Sequence, residues 1–121
     1  MNSNNLLQDF IVAAQQHGEG TVASNPELAN TAYSRLIYAL KQLHATDSNL
    51  DVLSPLLKHE NESVRTFAAT ALLFSTYSRE AENFLERESV AKGLIAFSAE
   101  MTLTEFKAGR LKPLYEQQVK S

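Results

Sequence analysis

The chain has 121 residues, 44% hydrophobic and 21% charged, with a formal net charge of -3, four glycines, three prolines and no cysteine. That length suits one domain over residues 1–121 that buries roughly two-thirds of its unfolded surface, and the scarcity of glycine and proline suits helices with short connections. Disulfides and thiolate metal sites are excluded, the scattered basic residues lack the footprint of a nucleic-acid surface, and no apolar run reaches membrane-spanning length. The polar start MNSNN carries no secretion pattern, so a soluble cytoplasmic protein is expected.

In chain order, Ser3 or Asn4 is placed to cap a first helix whose stripe is Leu6, Leu7, Phe10, Ile11 and Ala14. It is predicted to end near His17-Gly18, with GEGTVAS as a loop. Asn25-Pro26 then gives the clearest helix start, a capping side chain followed by a residue whose missing N–H costs nothing at the first helical position. The second helix is predicted from Pro26 to about His44. Its buried arc carries Ala29, Ala32, Tyr33, Leu36, Ile37, Leu40 and Leu43, which leaves Asn30, Ser34, Tyr38 and Lys41 outward.

Ser48 and Asp51 read as a capping box for a short third helix with Leu50, Leu53, Leu56 and Leu57 inward, kinked by Pro55 or beginning only at Ser54. The fourth helix lies in HENESVRTFAATALLFSTY, His59 to Tyr77, the expected centre of the fold. Asn61 can cap it, and Val64, Phe67, Ala68, Ala71, Leu72 and Ser75 share one face, with small residues that admit a close neighbour. Ser78 caps a fifth helix with Ala81, Phe84 and Leu85 inward. Ser89 caps a sixth that runs to about Ala108, closed by Gly109 and stopped by Pro113. Residues 113–121 read as a loose tail.

The six helices form three antiparallel pairs: one with two, three with four, five with six. The middle pair, LDVLSPLLKHENESVRTFAATALL from Leu50 to Leu73, resembles a HEAT repeat: a leucine-rich, proline-bent first helix, a polar turn, and a second helix that opens Val-Arg and runs into alanines. The usual aspartate before Val-Arg is replaced by Asn61 and Glu62, and the first pair has no Val-Arg. With the ending AFSAEMTLTEFKAGRL, the whole chain resembles short bacterial HEAT-like domains of unknown function. The resemblance implies an all-α fold, three stacked antiparallel helix pairs in a short right-handed solenoid, with no established activity. Pairs stack because one pair cannot bury its own apolar faces.

By the same resemblance, the second helix of each pair lines a concave face. At about 100° per residue its outward positions are Asn30, Ser34, Tyr38 and Lys41, then Thr66, Thr70, Leu73 and Tyr77, then Glu100, Thr104 and Lys107. An exposed leucine with two tyrosines is the composition of an interface core, although the same residues also suit contact with a neighbouring helix or the tail.

Catalytic signals are weak. Ser89-Val-Ala-Lys92 fits a serine-x-x-lysine pattern, but about half a match is expected by chance and the companion motifs are absent, so Ser89 reads as a cap. His17, His44 and His59 all fall at predicted helix C-terminal ends and not at metal-ligand spacing, and Glu80, Glu82, Glu86 and Glu88 read as a solvated face. No catalytic, cofactor or metal residue is assigned. The expected function is a non-catalytic protein-binding module, in its most concrete form a bacterial immunity or inhibitor protein that occludes a toxin. The alternatives are a small enzyme with an unrecognised site or a nucleic-acid-binding solenoid, the latter short of cations on the face in question.

Overall fold

The computed structural model describes residues 3–118, and their regular secondary structure is all helical. Five α-helices, α1 (Ser3–Val22), α2 (Pro26–Thr46), α3 (Glu62–Leu72), α4 (Ser78–Ser89) and α5 (Leu94–Lys107), are joined by a 3-10 helix at Asp51–Lys58 before α3 and another at Leu114–Glu116 after α5. The side chains of Ser3 and Asn4, expected to cap α1, lie outside what the structure describes. Neighbours in sequence pack together: α1 on α2, the first 3-10 helix on α3, and α4 on α5. Helix α3 also touches α1, α4, α5 and the second 3-10 helix, so it is the centre of the packing, as its small residues require. Val64, Ala68, Ala69, Ala71 and Leu72 are buried along it. No helix among the described residues is long and apolar enough to cross a membrane.

The capping chemistry of α2 and α3 follows the sequence. The Asn25 side chain accepts from the Leu28 N–H at 3.1 Å, and that of Asn61 from the Val64 N–H at 3.1 Å, each supplying a partner to an orphan donor of the first turn. The arc Ala32, Leu36, Ile37, Leu40 and Leu43 is buried as predicted, with Ala29 and Tyr33 half-buried.

Four boundaries differ from expectation. Helix α1 does not stop at His17-Gly18 but continues to Val22, because its glycines are contact points and not terminators. A Cβ on Gly18 would overlap the Ser63 hydroxyl, and one on Gly20 would lie 2.7 Å from the Ala29 backbone nitrogen. The predicted third helix is a 3-10 helix throughout, and its start is not a Ser48 box. Leu50 turns the chain at φ 55°, and Asp47 Oδ2 accepts from the Val52 N–H at 3.2 Å. Tighter turns suit a segment in which Pro55 lacks a donor. Ser78 is the first residue of α4 and makes no side-chain cap, while Ser89 ends α4, its hydroxyl donating to the Glu86 carbonyl at 2.8 Å. Helix α5 therefore starts only after Gly93, at φ 116°.

Its other end is as predicted. Gly109 takes φ 74°, and the Gly109 and Arg110 N–H groups bond back to the Phe106 and Glu105 carbonyls. The chain beyond it is docked, not loose, through the described residues: Leu114 is buried, and the Tyr115 ring stacks on His44 with centroids 3.6 Å apart. Residues 119–121 lie outside the description.

Candidate functional site

The outward residues expected from helical projection do not meet in one hollow. Asn30, Tyr38 and Lys41 are exposed on α2 and Ser34 is half-buried there. Tyr38 and Ser34 line a shallow groove with Asp9, Val12 and Gln16 of α1. Thr66 and Thr70 line a different cavity. Leu73, expected outward, is only 1% exposed, because α3 has ended and the turn to α4 folds it into the core. Tyr77 lies in that turn, half-buried, its hydroxyl donating to Asp51 Oδ1 at 3.0 Å. Glu100, Thr104 and Lys107 are exposed on α5, where Thr104 Oγ1 donates to the Glu100 carbonyl at 3.0 Å and Lys107 pairs with Glu86 at 2.9 Å.

The cavity, about 360 Å³, lies among α1, α2, α3, α5 and the C-terminal segment. Helix α1 brings His17 and Gly18, and Thr21 from the turn beyond its predicted end, to Ser63, Thr66, Phe67 and Thr70, which recur at helical spacing on α3. Tyr33 comes from α2, Leu94, Ile95, Ser98 and Thr102 from α5, and Leu111, Leu114 and Gln117 from the docked segment.

The electrostatics of this wall are those of a neutral site. Among the described residues that line it there is no carboxylate, lysine or arginine. His17, expected at a helix end, sits mid-helix with the Phe67 ring edge-on at 4.9 Å and Tyr33 at 6.1 Å. Burial lowers the His17 pKa and raises that of Tyr33, so both are held uncharged at neutral pH. Thr21 and Thr70 spend their hydroxyls on the His17 and Thr66 carbonyls, each at 2.9 Å. The hydroxyl of Thr66 is buried and has no hydrogen-bond partner among the described residues. Such walls can hold an uncharged body and orient it. The described residues contain no cluster of three or more potential metal ligands.

Beside the cavity mouth, α5 carries a feature that the sequence reading missed. Leu94, Phe97 and Met101 are 55%, 60% and 46% exposed, while Ala96, Ala99 and Leu103 on the other side are buried. The signal was present as a helix apolar almost all round, which demands burial on more than one side. The chemical pattern at Ser89 does not form, since Ser89 is engaged within α4 and Lys92 is exposed in the next connection. In the acidic run, Glu86 pairs with Lys107. Glu88 lies 3.8 Å from Arg65, where partial burial raises its pKa against the opposing pull of that guanidinium.

Compared with known proteins, the chain matches no family model, no curated protein and no solved structure.

Proposed function

We propose that the protein is a non-catalytic protein-binding module whose partner packs on the exposed stripe of α5. The observation that carries this reading is the row Leu94, Phe97 and Met101, three large apolar side chains at helical spacing left in solvent by a helix that already buries its opposite side. Aromatic and methionine side chains supply interface energy when desolvated, whereas their exposure is costly without an occupant. The partner is a protein and not a nucleic acid, because the stripe is flanked by Glu100 and Lys107 with no cluster of cations. In its most specific form this is a cytoplasmic inhibitor of the immunity type that occludes a toxin, and the net charge of -3 favours a basic partner.

The proposal extends to architecture: a short HEAT-like solenoid of three stacked helix pairs. Its support is that helices adjacent in the chain pack in pairs and that Arg65, of the Val-Arg pair, donates to the His59 and Glu60 carbonyls at 2.7 and 3.0 Å while reaching Glu88 of the next pair. A photocrosslinking residue placed at Phe97 in the native host tests the binding surface, with one at Asn83 on α4 as the control. A discrete adduct at 97 that is absent at 83 is the expected result. Equal labelling, or none at 97, overturns it.

A further inference from the structure

The cavity walled by α1, α3 and α5 has a composition that the partner surface does not account for. The only two buried polar residues among those described, Ser63 and Thr66, at 7% and 8% exposed, both line it. Helix interiors seldom bury a hydroxyl without a partner, yet that of Thr66 has none. Three rings, those of His17, Tyr33 and Phe67, surround one end, and no charged side chain among the described residues faces the space.

We propose that this cavity is a small-molecule site for an uncharged, flat ligand of about two fused rings bearing a single hydroxyl or carbonyl group. The size follows from volume: a dry cavity of about 150 Å³ takes one benzene, and 360 Å³ is a little over twice that, within the range of ligand sites. Flatness follows from the rings, which favour edge and offset stacking on an aromatic guest. Neutrality follows from the walls, where a carboxylate or ammonium has no counter-charge and loses its hydration. A polar group on the ligand suits the hydroxyl-bearing strip of α3 and α5, Ser63, Thr66, Ser98 and Thr102, where the Thr66 hydroxyl lacks a partner among the described residues.

The probe is 2-naphthol, titrated into the full chain with amide shifts followed by NMR. Saturable shifts are expected in residues 17–21, 63–70 and 94–102, with 2-naphthoate, the same rings carrying a charge, binding at least tenfold more weakly at neutral pH. Thr102→Phe, which fills the space, weakens 2-naphthol binding at least tenfold. Ser98→Trp at α5 is the second blocking variant should the first not fold. Shifts that do not saturate, equal affinity for the naphthoate, or a folded blocking variant that binds like the wild type overturns the proposal. Phe97 does not line the cavity, so the crosslinking result at the stripe stands or falls separately.

Discussion

Thr66 is a polar group whose burial has no visible compensation, and its removal is therefore informative. Valine has the same shape without the hydroxyl, so Thr66→Val deletes an unpartnered buried oxygen and leaves the packing of α3 unchanged. It is expected to raise stability by about 1 kcal/mol, seen as a melting temperature about 4 °C higher. A lower melting temperature means that the oxygen is solvated or bonded in solution. Its neighbour His17 gives a prediction of definite sign. Burial places its folded pKa below the ordinary 6.5, so the unfolded chain takes up the proton first. Its contribution is complete above the ordinary value and is lost as pH falls through it toward the lower folded value. Denaturant unfolding between about pH 5 and 7 should show stability falling with acidity, and His17→Gln should flatten that slope. Phe67, read from sequence as a core residue, is half-buried with its ring edge against His17. Phe67→Ala is expected to cost about 2 kcal/mol, below the roughly 3 to 5 kcal/mol for Phe10→Ala, since Phe10 is fully buried. Chemical denaturation of both variants gives the comparison.

At the scale of elements, the glycines of α1 show why composition misled. Glycine ends helices often enough that His17-Gly18 read as a stop, but Gly20 allows α1 to meet the Ala29 backbone. The sign of a substitution separates the two roles. In an exposed helix, glycine to alanine stabilises by about 0.4 to 1 kcal/mol, whereas Gly20→Ala should destabilise by about 1 to 3 kcal/mol because the backbone it meets cannot rotate away. Thermal unfolding decides. Starts carried by a single side chain, Asn25 and Asn61, were legible because a cap is local chemistry. Ser48, Ser78 and Ser89 have the same chemistry but not the role, since Asp47, the turn at Tyr77 and Gly93 set those boundaries through the path of the chain. The outward set failed at Leu73 for a related reason: angular projection holds only within a helix, and α3 ends at Leu72. The cavity was illegible because it depends on five segments meeting, and one of them supplies Leu114 and Gln117 from the stretch 113–121, whose sequence reads as a tail.

For the whole molecule, the question is how the chain can leave three large apolar side chains of α5 in water and still fold. The core is complete without them: α5 is held by Ala96, Ala99 and Leu103, and the docked segment adds Leu114 where the last 3-10 helix packs on α2 and α3. Stability and exposure are thus carried by different residues of the same helix, and mutation can separate them. Phe97→Gln together with Met101→Gln is expected to change unfolding free energy by no more than about 0.5 kcal/mol per site, the usual range for surface positions. Leu103→Ala, on the buried side, should cost about 2 to 5 kcal/mol. Urea denaturation measures both. If the glutamine pair proves as damaging as the leucine change, the stripe is packed in solution against some part of this same chain, and the surface offered to a partner lies elsewhere. If the pair is neutral, Phe97 and Met101 are not needed for folding, and the stripe remains free for the proposed partner.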